Sequence, residues 1–193
     1  MRFNGISKVH QGKFISRYDI SYTTEDGQDK NYEIISRDKN LKTLKQLNNS
    51  GTDGVVIIVT DKTGDRILLN REFRMAVGAF IYNFPAGLID AGESAAVAAK
   101  RELKEETGLD LTAVEDQLFD SYSAIGFSNE TNAVIIGKAD GTFSPSTSSL
   151  EEISAAWYTR AEVRKLLKDQ YFAARTQAYC YMWSKQQNSR KGI

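Results

Sequence analysis

Cysteine and histidine are almost missing from this sequence: Cys180 and His10 stand alone among 193 residues. A single thiol forms no internal disulfide, which excludes a disulfide-stapled secreted scaffold. One histidine and one cysteine do not build a structural zinc site, whose ligands are drawn from several such residues. Charge of one sign is also lacking, because 25 Lys and Arg face 25 Asp and Glu; the basic excess of a dedicated nucleic-acid binder is therefore absent. Long apolar runs are missing too. The longest, Gly54–Val59, falls far below the roughly 20 residues that cross a bilayer, and the opening MRFNGISKVHQGKF holds no apolar signal core. These absences lead to the expectation of a cytoplasmic protein with no nucleic-acid and no membrane partner. Any metal or acid–base chemistry must rest on carboxylates.

Apolar side chains suffice for a core, at 41% of residues with 10% aromatic, and their patterning divides the chain. Phe14, Tyr18, Ile20 and Tyr22 alternate with Arg17, Asp19 and Ser21, the period of a half-buried strand. Glu25-Asp26-Gly27 supplies a turn and Asn31–Ser36 the returning strand. Residues 1–50 thus read as a small N-terminal antiparallel β unit, closed by a polar connection from Asp38 to Ser50. Residues 51–193 read as a larger unit. Its strands are expected at Val55–Thr60, Arg66–Asn70, Ala79–Tyr82, Ala133–Gly137 and Ala155–Tyr158, its helices at Ala95–Thr107, Ala161–Lys168 and Phe172–Gln187. That order predicts an α+β fold with helices packed on a mixed sheet. Cys180, beside Tyr179, Met182 and Trp183 on a helix, is expected in the core, and His10 is given no role.

The chemistry gathers in Gly87–Leu109, GLIDAGESAAVAAKRELKEETGL. Ser94 is placed to cap a helix, the alanine-rich run favours one, and Gly108 suits its left-handed end. Glu102, Glu105 and Glu106 stand at i, i+3 and i+4, on one face. Glu102 is set against Glu106 and Lys100 against Lys104; only Arg101 and Glu105 make a favourable pair at that spacing. A divalent cation relieves such crowding, and oxygen ligands select a hard ion, Mg²⁺ or Mn²⁺. From Gly87 to Asp110, six carboxylates meet three basic side chains. The neutral total conceals an acidic segment.

Gly87, Glu93, Arg101, Glu102, Glu105, Glu106 and Gly108 fit the pattern G-x5-E-x7-R-E-U-x-E-E-x-G-U, with Leu103 and Leu109 at the apolar positions U. Seven fixed residues at ~7% average usage each coincide by chance at only ~10⁻⁸ per starting position. The segment resembles the Nudix box of the Nudix hydrolases. Gly87 permits a tight loop entering the helix, and Arg101 is suited to clamp Glu93 bidentately. The resemblance implies an α/β/α sandwich and metal-dependent hydrolysis of a nucleoside diphosphate linked to another moiety. By resemblance, Glu102 and Glu106 are the core metal ligands, joined by the backbone carbonyl of Ala86, with Glu105 as a catalytic helper.

Three flanking segments resemble the ADP-ribose pyrophosphatase branch of that family. Arg71-Glu72-Phe73-Arg74 precedes Phe84-Pro85-Ala86-Gly87-Leu88-Ile89-Asp90, which implies Arg74 as a phosphate contact. Ile125-Gly126-Phe127-Ser128-Asn129-Glu130 resembles a substrate loop, with Ile125 in place of the usual proline and Asn129 in place of the commoner aspartate; Glu130 is its substrate-binding residue. Tyr32-Glu33-Ile34-Ile35-Ser36-Arg37 resembles a strand that, in dimeric members, reaches the partner's site, Tyr32 stacking on adenine and Glu33 and Arg37 binding polar groups. A late catalytic glutamate is expected at Glu151, with Glu152 as its neighbour and alternative. The reading is thus a homodimeric, Mg²⁺-dependent hydrolase of ADP-ribose or a related ADP-sugar. The alternatives are another nucleoside diphosphate derivative (a GDP-sugar or NADH), or a non-catalytic module that senses ADP-ribose. The last would be expected to have lost its box glutamates, and this chain keeps them.

Overall fold

The computed structural model describes residues 1–48, 51–148 and 152–186. Its chain divides into two compact units: Met1–Gly54 with Phe119–Ala133, and Val55–Leu118 with Val134–Ile193. The first unit thus includes an excursion through 119–133, which carries no composition shift by which to notice it.

In the first unit, β1 (Arg2–Gln11), β2 (Ser16–Thr23) and β3 (Asp29–Ser36) pair antiparallel in that order. Alternation along β2 buries Ser16, Tyr18 and Ile20, and Tyr18, Ile20, Ile34 and Leu41 form the core. Phe14 departs from the expected strand. The Gly12 amide donates to the Ile15 carbonyl at 2.9 Å, closing a turn just before β2 that leaves Phe14 exposed. The connection expected from Asp38 to Ser50 holds a short helix, α1 (Leu44–Leu47), capped by Thr43 and Gln46; Asn49 and Ser50 lie outside the described residues.

The second unit is built on a sheet ordered β10-β5-β4-β9-β8, with β6 beside β5 and β7 beside β4. These strands are β4 (Gly54–Thr60), β5 (Arg66–Arg74), β6 (Ala79–Asn83), β7 (Ala86–Leu88), β8 (Asp110–Tyr122), β9 (Thr131–Asp140) and β10 (Ile153–Thr159). The helices are α2 (Ala95–Thr107), α3 (Arg160–Leu166) and α4 (Ala174–Lys185). Strand β4 is buried on both faces. Its odd residues Val55, Ile57 and Val59 meet Ala98, Ala99 and Leu103 of α2. Its even residues Val56 and Ile58 share a second core with Val163 of α3 and with Cys180 and Trp183 of α4. This is the α+β sandwich on a mixed sheet that the sequence predicted. Cys180 is fully buried, and burial pushes its thiol up to about 12. No helix among the described residues is long and apolar enough to cross a membrane.

Three strands escaped the sequence reading: the three-residue β7, too short to show a period, and two longer ones, β1 and β8. Both lie at the end of a strand order and are largely exposed along their length. A strand with water on both sides has no apolar face to alternate with a polar one, so the period-2 signal fades.

Candidate active site

Helix α2 has the bounds expected from its caps. The Ser94 hydroxyl accepts from the Val97 amide, and Gly108 ends the helix at φ 79°, a left-handed conformation that favours glycine. The helix buries Ala98, Ala99, Leu103 and Thr107 against the sheet, and Glu106 lies on that same buried face. The glutamates are therefore not a solvated stripe. Glu106 is 8% exposed, and only Glu105 is substantially open, with 46% of its side chain accessible.

Arg101 organises the entry to the helix. Its Nε and Nη2 donate to the two carboxylate oxygens of Glu93 at 3.1 and 2.8 Å, the bidentate clamp expected from the sequence. Its Nη2 also donates to the Leu88 carbonyl at 2.9 Å, tying the loop to the helix. Its Nη1 reaches Glu102 at 2.8 Å and Glu105 at 3.4 Å. The Arg101 bond holds the Glu93 carboxyl below its ordinary value. Reciprocally, Glu93 first and Glu102 second raise the guanidinium further, so it stays charged. Gly87, in β7, packs so closely that a Cβ built on it would fall on the Glu102 carboxylate. Only a bare backbone fits there, which brings the Ala86–Gly87 main chain alongside a proposed ligand.

Glu106 is held differently. The Nδ2 of Asn70 on β5 donates to its Oε2 at 2.7 Å, and Asn70 is fully buried. Two residues along, Glu72 is also buried; it accepts from Asn83 Nδ2 at 3.0 Å and lies 3.7 Å from Arg74 Nη1. Asn70, Glu72 and Arg74 alternate onto one face of β5, the face of Leu68, which packs against α2. Sequence reading ended that strand at Asn70 and missed Asn70 and Glu72. The signal was there: the inward positions of a buried strand turn polar after Leu68, which apolar packing alone does not explain.

No group of three or more His, Cys, Asp or Glu side chains among the described residues is gathered to enclose an ion. The donor set nevertheless suits a hard divalent cation of the kind that takes one or two carboxylates and keeps its other positions for water and substrate oxygens. Glu102 and Glu106 one turn apart, with the Ala86–Gly87 backbone against Glu102, are such a set.

The remaining candidates fall into separate groups. In the first unit, Arg37 Nε donates to Glu130 at 2.6 Å and the Tyr32 hydroxyl to the Gly126 carbonyl at 2.5 Å. The strand and the loop singled out in the sequence therefore meet within one chain. Glu33 is paired with Arg17 at 3.2 Å. Tyr32 lines a cavity of about 260 Å³ together with Tyr22, Tyr122, Ile125, Ser128 and Asn129, just below the roughly 300–1,000 Å³ of whole-ligand pockets. In the second unit, Glu152 is exposed, and its carbonyl accepts from the Phe73 amide at 3.0 Å. Ile153 pairs with Glu72, so alternation sets Glu152 on the sheet face away from α2. Glu151 lies outside the described residues.

Comparison with known proteins gives the family and the fold. The NUDIX domain model matches residues 51–179. The chain is 38% identical over 107 residues to an ADP-ribose pyrophosphatase of Saccharomyces cerevisiae, covering 53% of this chain and 43% of that protein. It is 29% identical over 100 residues to an ADP-sugar pyrophosphatase of Mus musculus, covering 52% and 44%. The chain spans about half the length of the curated relatives it matches. A solved structure described as an ADP compounds hydrolase superposes with a TM-score of 0.70 over 95% of this chain and 92% of that one, at 18% identity; at that identity the likeness concerns the fold.

Proposed function

The chain belongs to the Nudix family, and from that premise we propose that it is a divalent-metal-dependent pyrophosphohydrolase of ADP-ribose or a related ADP-sugar, releasing AMP and a sugar phosphate. The observation that carries the reading is the fit of Gly87 over Glu102: a main chain pressed onto a carboxylate one turn from Glu106 is a constraint a plain acidic surface helix does not need.

Glu102 and Glu106 would hold the metal, Mg²⁺ with Mn²⁺ as the alternative, with the Ala86 carbonyl completing the protein's share. When bound, the ion neutralises the pyrophosphate and acidifies a water near it. Catalysis is then chiefly positioning and charge stabilisation. Arg101 and Glu93 keep loop and helix in register, and Gly108 lets the helix stop where the chain turns. Glu105, the most open of the three helix carboxylates, is placed to receive or pass a proton. Arg74, 57% exposed at the end of β5, offers a guanidinium fork to phosphate oxygens. Tyr32, Glu33, Arg37 and Glu130 are proposed as substrate contacts, in keeping with the Tyr32-lined cavity and the Arg37–Glu130 pair. Glu151 is proposed as the late catalytic glutamate, a reading helped by the outward setting of Glu152. A homodimer is proposed on the resemblance of the Tyr32–Arg37 strand to that of dimeric members.

The test is chemical. Pure protein incubated with ADP-ribose and Mg²⁺ is expected to release AMP and ribose 5-phosphate; no AMP with either Mg²⁺ or Mn²⁺ sinks the substrate assignment. A GDP-sugar or NADH turned over faster in the same panel would replace it.

A further inference from the structure

Asn70 stands out on β5. It follows Leu69, is fully buried, and pairs across the sheet with Ala155 on one side and Asn83 on the other. Burying a side-chain amide without full hydrogen bonding is costly, so an aliphatic residue is the stable choice for such a position. Asn70 spends one donor on Glu106, at 2.7 Å. Its Oδ1 is buried without a hydrogen-bond partner among the described residues. The neighbouring Asn83 sends its Nδ2 to Glu72 and makes no hydrogen bond to Asn70 Oδ1. Rotating the Asn70 amide by half a turn does not help either, since it would set Oδ1 against the Glu106 carboxylate, oxygen to oxygen.

We infer that Asn70 is a positioning residue for the metal: its Nδ2 fixes the Glu106 carboxylate, and its Oδ1 accepts from a water that a hydrated divalent ion carries in. A water bound to a cation has turned its lone pair to the metal and is left as a donor, which is what a buried, donor-less amide oxygen lacks. The amide sets Glu106 without bringing any charge of its own, so the attraction of the carboxylate for a cation is not spent on its holder. This rests on the proposed metal role of Glu106, and the test separates the two.

Substrate-free protein is titrated with Mn²⁺, the free ion being read by electron paramagnetic resonance, and melted in parallel without metal. Asn70→Leu is expected to bind Mn²⁺ about tenfold more weakly, the low end of the 10–100-fold range for partners of metal ligands, with its melting temperature unchanged or raised. A merely structural amide predicts the opposite pattern, a lower melting temperature and unchanged affinity. Mn²⁺ affinity within twofold of the parent protein overturns the inference. Should the leucine variant fail to fold, Asn70→Ala removes the amide without adding bulk; its cavity lowers the melting temperature, so it is read on Mn²⁺ affinity alone, with the same expected loss and the same overturning result. Glu106→Gln is the control. If it loses Mn²⁺ affinity while the Asn70 variants do not, the inference alone falls. If it binds as tightly as the parent, the metal reading of Glu106 falls, and the inference with it.

Discussion

The loop-and-helix junction around Arg101 and the buried pocket around Glu106 solve one problem in two ways. At the junction a guanidinium neutralises: Arg101 takes both oxygens of Glu93 and one of Glu102, and fastens the Leu88 carbonyl as well. In the pocket a neutral amide orients: Asn70 donates to Glu106 and adds no charge. A fixed cation cancels the charge of the carboxylate it holds, whereas an amide orients a carboxylate and cancels none of it. On the proposed reading the Glu93–Arg101 pair is architecture and Glu106 is chemistry, with Glu102 touching both: Arg101 holds one of its oxygens and Gly87 lies against its carboxylate.

The sharpest way to break that comparison is Glu106→Gln. It keeps the size of the side chain and removes the charge, so kcat for ADP-ribose is expected to fall by more than the about 100-fold that marks the upper range for a ligand's outer partner. Turnover near that of the parent would reduce Glu106 to a structural residue. Gly87→Ala comes next. Its Cβ would displace the Glu102 carboxylate, and a forced repacking of this kind costs about 1–3 kcal/mol; calorimetry should show a lower melting temperature together with reduced turnover. An unchanged melting curve would mean that loop and carboxylate part easily, and that their close fit is not a constraint.

The smallest effect is expected at the clamp, where Arg101→Lys breaks the bidentate geometry and keeps the charge. Thermal stability should drop by a few degrees while Mn²⁺ affinity moves less than in Asn70→Leu. The two regions thus exchange their signatures. The acid limb sharpens this. The Glu93 carboxyl is lowered from 4.5 by Arg101, so its contribution is full above that value and is lost as pH falls through the lowered one. In melts from pH 6 down to about pH 3, the range over which ordinary carboxylates titrate, Arg101→Lys should show a shallower decline than the parent. Parallel declines would show that the clamp adds nothing beyond exposed charge.

The sequence by itself determined much of this site, because the relevant constraints are local. Helix α2 begins at Ala95 and ends at Thr107 because Ser94 caps it and Gly108 takes a left-handed conformation no neighbour could adopt as cheaply. Glu102, Glu105 and Glu106 share a face because 3.6 residues make a turn, and the Glu93–Arg101 clamp was expected from the two residues' places in the motif. The buried strand β4 and the α+β class were legible for the same kind of reason. Packing alone set Glu106 in the buried layer with Asn70 donating to it, since the two lie 36 positions apart and no periodicity joins a strand to a helix across that separation. The same holds for the meeting of Arg37 with Glu130, 93 positions apart, and for the return of 119–133 to the first unit. Local sequence sets which conformations a segment adopts, whereas the choice of partner across the fold is made by packing, which sums over residues that no short window contains.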